Sequence, residues 1–83
     1  MNRPTGLATL PVLPATGEIL PNGATVVLSR FAKNDLTMVV IWASRGPDDY
    51  MTWAARADAP RATFWGHYYG ADVAASRRDY ATR

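Results

Sequence analysis

Eighty-three residues with no cysteine, a single histidine and a net charge of +2 set narrow limits on this chain. That length holds one domain. Without thiols there are no disulfides and no sulfur-rich zinc or iron–sulfur sites, and the weak positive charge gives little steering toward nucleic acid.

Residues 1–16 contain Pro4, Gly6, Pro11 and Pro14. Each proline removes a backbone donor and pushes the residue before it toward an extended conformation. The stretch is therefore expected as an extended arm ahead of a single domain at 17–83. Leu7, Leu10, Val12 and Leu13 are too apolar for a solvated tail, and are expected against the chain's own sheet or a neighbouring copy. The start carries a charge and is broken by Thr9 and Pro11, which is not the pattern of a secretory leader. No apolar run reaches the length of about 18 residues that spans a bilayer, so a cytoplasmic location is expected. Glu18-Ile19-Leu20 reads as a short strand, and Pro21-Asn22-Gly23 as a turn.

From there the pattern is that of an α+β fold: a four-stranded antiparallel meander with one C-terminal helix packed on the sheet. The strands are expected near 24–32, 36–43, 50–57 and 62–69. The centre is Thr37-Met38-Val39-Val40-Ile41-Trp42-Ala43, a run without charge, glycine or proline and with three adjacent β-branched residues, which suits a sheet covered on both sides. Turns are expected at Lys33-Asn34-Asp35, over Ser44–Asp49 and at Asp58-Ala59-Pro60-Arg61. Gly66 lies inside the last strand, where a glycine costs about 0.5–1 kcal/mol. A bulky neighbour such as a tryptophan is expected over the space its side chain would fill.

Asp72 is placed to cap a helix over 72–82. Val73, Ala74, Arg77, Tyr80 and Ala81 form a seam at helical spacing, with Asp72, Ser76, Asp79 and Arg83 on the opposite, polar side. The expected core is Val26, Leu28, Met38, Val40, Trp42, Phe64, Tyr68, Val73 and Tyr80. A helix about 15 Å long shields one face of the sheet. Val39 and Ile41 face the other way, and are buried only if the arm, a second subunit or an outside partner covers them. A homodimer is expected on that ground.

No catalytic, cofactor-binding or metal-binding residue is assigned. There is no Gly-x-Ser-x-Gly elbow, and Ser29, Ser44 and Ser76 have no histidine beside them in sequence. Asp48 and Asp49 read as a solvated loop pair, and no glycine-rich phosphate loop is present. A non-enzymatic role in protein interaction fits the residues best. Eight arginines against one lysine, with three tryptophans and four tyrosines, are the side chains that anchor interfaces. The candidate surface is Trp53, Trp65, His67, Tyr69, Arg77 and Arg78. The alternative is a small nucleic-acid-binding protein using Arg77, Arg78 and the sheet aromatics, against which Asp72 and Asp79 offset the arginine field.

The ending Phe64-Trp65-Gly66-His67-Tyr68-Tyr69, followed by Asp72, Ala75, Asp79-Tyr80 and Arg83, resembles the tail of small uncharacterised proteins of actinobacteria and actinobacteriophages. The resemblance covers the last third of the chain and carries no activity with it. It implies an accessory protein inside a bacterial cell, with a host protein as partner; the second copy of the chain is expected from the sheet face alone.

Overall fold

A computed structural model of the chain describes residues 12–83. The β-branched centre lies in an inner strand, β2 (Asp35–Ser44), hydrogen-bonded on both sides, by β1 (Thr25–Ala32) and β3 (Tyr50–Arg56). The edge strand β4 (Ala59–Gly70) follows, and then helix α1 (Val73–Thr82). All neighbours are antiparallel and the spatial order is the chain order, so the fold is an α+β meander with one C-terminal helix on the sheet.

β4 starts earlier than its composition suggests. The turn is the pair Ala57-Asp58, and Ala59, Pro60 and Arg61 belong to the strand. Proline is tolerated there because β4 is an edge strand and its pairing is irregular between Ala59 and Phe64. Glu18–Leu20 contributes a single bridge, Ile19 to Thr25, rather than a strand, and the turn after it is closed by Gly23 N–H to Leu20 C=O, at 2.8 Å.

The two faces of the sheet are covered by different parts of the chain. Val40 and Trp42 lie under α1 with Tyr80. Val39, Ile41, Ala43, Met51, Trp53 and Ala55 lie under the segment that leads into β1, with Leu20, Ala24 and Leu13 packed on them. Val39 and Ile41 are therefore fully buried within one copy of the chain. The segment runs beside β1, where Gly17 N–H reaches Val26 C=O and Val26 N–H reaches Glu18 C=O, both at 2.8 Å. It also reaches β4. Arg61 makes a two-pronged ion pair with Glu18 and donates to Val12 C=O at 2.9 Å, while Asn22 Nδ2 donates to Thr63 Oγ1 at 3.2 Å. Thus the described end of the arm and the segment that follows it, residues 12–24, tie the two edge strands together across one face. Val12 itself is exposed; Leu7 and Leu10 lie outside the described residues.

Several expected core residues are elsewhere. A bulge between Val26 and Leu28 lets one residue of β2 oppose two of β1, so Val26 turns to the arm face and Leu28 is left 46% exposed. Tyr68 and Val73 are exposed at 63% and 43%, and Met38 and Phe64 are half-buried. Trp53, Met51 and Ala55 take their places in the core. The space above Gly66 is filled as expected. A Cβ there would come within 2.6 Å of the Trp53 Nε1 and closer still to the Tyr68 hydroxyl.

Candidate functional site

The helix docks by its polar side. Ser76 and Tyr80 are buried, whereas Val73, Ala74, Arg77 and Ala81 of the expected apolar seam face outward. The sheet dictates this, because the surface it offers to α1 carries polar groups that need partners. Trp42 Nε1 donates to Ser76 Oγ at 2.9 Å, and that hydroxyl donates to Val73 C=O at 2.7 Å. Thr52, with no exposed surface, donates its hydroxyl to Asp79 Oδ2 at 2.6 Å. Arg30 donates to Tyr80 C=O and lies 4.8 Å over the Tyr80 ring. As expected, Asp72 caps the helix, accepting from Ala75 N–H at 3.0 Å.

His67 and Tyr69 complete this cluster from β4. His67 Nδ1 lies 2.8 Å from Asp79 Oδ2. A carboxylate only accepts, so Nδ1 carries the proton. The Tyr69 phenol lies beside the same carboxylate, close enough for each to shift the other's pKa. Burial raises the Asp79 pKa, yet the hydrogen bonds from Thr52, His67 and Tyr69 together outweigh it and hold the group below its ordinary value. Burial, then the bond to Asp79, pushes the Tyr69 phenol up. Arg83 Nη1 donates to Thr52 Oγ1 at 3.0 Å, and Nη2 donates to the carbonyl of Trp65. One network thus runs from the buried middle of β3, through the last turn of α1, to the backbone of residue 65.

Trp65 is the unusual residue of this network. Between Thr52 and Ala54 of β3, β4 inserts one extra residue, since Thr52 pairs with His67 but Ala54 pairs with Phe64. Trp65 sits in that bulge at φ 54°, among the non-glycine residues described the one with positive φ. The left-handed conformation costs a side-chain-bearing residue about 1–2 kcal/mol. The ring nevertheless stands 71% exposed, resting edge-on against Phe64 at 4.9 Å and 80°.

No known protein family, curated protein or solved structure matches this chain.

The candidate surface divides under this geometry. Trp65 is exposed, His67 half-exposed, and Arg77 and Arg78 lie on the outer side of α1. Tyr69 belongs to the Asp79 cluster behind them. Trp53 is not part of the surface: it is 4% exposed on the arm face, donating to the Tyr68 hydroxyl at 3.1 Å, with Arg45 lying 5.7 Å from its ring. Its place on the arm face follows from its pairing with Ile41.

Chemically the cluster is a clasp. The Asp79–His67 pair has the form that orients an imidazole for general-base work. Thr52 is bonded to Asp79 and Arg83, and Ser76 is buried and bonded to Trp42 and Val73. Among the described residues no three His, Asp or Glu side chains gather as metal ligands, and no helix is long and apolar enough to cross a membrane. Asp79, Arg83 and Thr52 were not legible as a group from sequence. Their one signal was the 72/76/79/83 spacing that puts Asp79 and Arg83 on one side of the helix.

At the far end of the sheet, Phe31, Leu36, Met38 and Ala57 line an open, apolar recess of about 730 Å³, with Arg56 and Asp58 paired at its rim at 2.6 Å. The sequence-predicted site residues do not reach it.

Proposed function

We propose that this chain is a non-enzymatic protein-interaction module whose contact surface is centred on Trp65. The observation that carries the reading is the display of a large aromatic, 71% exposed, from a left-handed bulge whose carbonyl is secured by Arg83. A conformation that costs energy and exposes an apolar ring works against folding, and such local strain concentrates at functional positions. Tryptophan is also the side chain most enriched among residues that dominate binding energy. The resemblance of the C-terminal third to proteins of actinobacteria and their phages supports an accessory role in a bacterial cell, with a host protein as partner.

The test is capture from a bacterial lysate on immobilised chain, wild type against Trp65→Gly. Glycine accepts φ 54° without strain, so the variant is expected to keep the wild-type fold, with an unfolding midpoint at or above that of the wild type. Proteins retained by the wild type and lost with Trp65→Gly are the expected result. Retention that ignores the substitution, or none above a blank surface, goes against the reading.

A further inference from the structure

The apolar recess at the far end of the sheet is a docking place by its composition. Phe31, Leu36, Met38 and Ala57 line it, and Leu36 stands 73% exposed. Phe31 pairs with Val39, and Ala57 packs on the cluster that holds Val39 and Ala55. The lining therefore continues the side of the sheet that residues 12–24 cover.

The course of that segment aims the chain at the recess. Gly17 is bonded to Val26 of β1, and Pro14 C=O accepts from the Ser29 hydroxyl at 2.6 Å. Traced backward, the segment thus advances along β1 toward Phe31, the next residue on the same side of the strand. Leu13 packs on the cluster that Ala57 also touches. Val12 C=O is held by Arg61, three residues past Asp58 at the rim, or about 10 Å along a strand. Residues 1–11 precede this point and carry Leu7 and Leu10. An extended chain brings Leu10 up to about 7 Å from Val12, and Leu7 up to about 17 Å. Pro11 favours an extended Leu10.

We propose that Leu7 and Leu10 of the chain's own arm fill this recess. A short tether presents them at an effective concentration in the millimolar range, above that of a second copy or a foreign apolar segment in dilute solution. The arm is then a built-in cover, and any other apolar segment reaches the recess only by displacing it.

The chain has no cysteine, so an introduced pair reports a single contact. Thr9→Cys/Thr37→Cys keeps every apolar group, and Thr37 is an exposed residue of the recess. Under copper–phenanthroline oxidation of the full chain, a disulfide within one molecule is expected. It should form about tenfold faster than when Leu7→Ser/Leu10→Ser or Leu36→Asp is added. Equal rates would mean chance collision of an undocked segment, and a disulfide joining two molecules would assign the recess to a second copy. Either result, or no disulfide at all, overturns the proposal. A second readout uses no cysteine. Leu7→Ser/Leu10→Ser is expected to bind several-fold more anilinonaphthalene sulfonate than wild type, an increase that Leu36→Asp removes. Dye binding unmoved by the two serines also overturns the proposal.

Discussion

At position 66 the backbone of β4 passes beneath the Trp53 indole and the Tyr68 hydroxyl, which hydrogen-bond to each other at 3.1 Å. The Trp53 ring is packed in the core, whereas Tyr68 is 63% exposed, so an added methyl displaces the Tyr68 hydroxyl, breaks its bond to Trp53 and presses on the buried indole. Gly66→Ala is expected to destabilise the fold by about 1–3 kcal/mol, the usual cost of overpacking, read as a lower urea midpoint at unchanged slope. A variant as stable as wild type would mean that the rings move freely. The neighbouring bulge makes the opposite demand: Trp65 has a side chain where glycine would be easier, and Gly66 lacks one. Sequence showed the glycine and the reason for it. The tryptophan's backbone conformation left no trace, because nothing about residue 65 marks a left-handed position.

Helix α1 was placed correctly in the chain, together with its cap, but its rotation about its own axis was not. Periodicity picks out an apolar seam, and Val73, Ala74, Arg77 and Ala81 are too small or too charged to bury much area. The docking side was decided by the sheet, whose Trp42, Thr52 and His67 each present a polar group that one helix face satisfies. Such pairing is long-range and invisible to a local pattern. Its acid dependence follows from Asp79. Its folded pKa lies below the ordinary carboxylate value, so the unfolded chain binds the proton first and stability falls with falling pH. The contribution is complete above the ordinary value and disappears as pH drops through the folded one. Glu18, lowered by its bond to Arg61, acts in the same direction. Asp79→Asn should cost about 1–3 kcal/mol at neutral pH, since Thr52 loses a charged acceptor inside the fold. It should also flatten, without abolishing, the decline in unfolding midpoint below about pH 4. Equal stability at pH 7 combined with an unchanged acid decline would show that the clasp contributes nothing.

Across the whole molecule the deciding question is what covers Val39 and Ile41. The strand pattern was legible, including the need for a second cover, but the candidates for that cover, the chain's own arm, a second copy and an outside partner, look alike in sequence. Within the described residues the cover is the segment after the arm, with Leu13 of the arm beside it, and its links join positions far apart: Glu18 to Arg61, Asn22 to Thr63, and Leu20 to the sheet. β4 adds a reason why its edge is a poor template for another strand. Its pairing is interrupted at three places, and such bulges blunt an edge against further pairing. Leu20, 2% exposed, is the residue of that segment on which the cover depends most directly. Leu20→Ala should lower stability by about 2–5 kcal/mol, the range for emptying a core leucine site. Leu20→Asp goes further, since a carboxylate under the arm has no partner and drives the segment off the sheet. The β-branched face it uncovers is then free to associate. In sedimentation equilibrium over a concentration series, Leu20→Asp should therefore show a larger weight-average mass than wild type, together with increased binding of a hydrophobic dye. If its mass and dye binding match those of wild type, the segment that carries Leu20 is not what keeps that face dry.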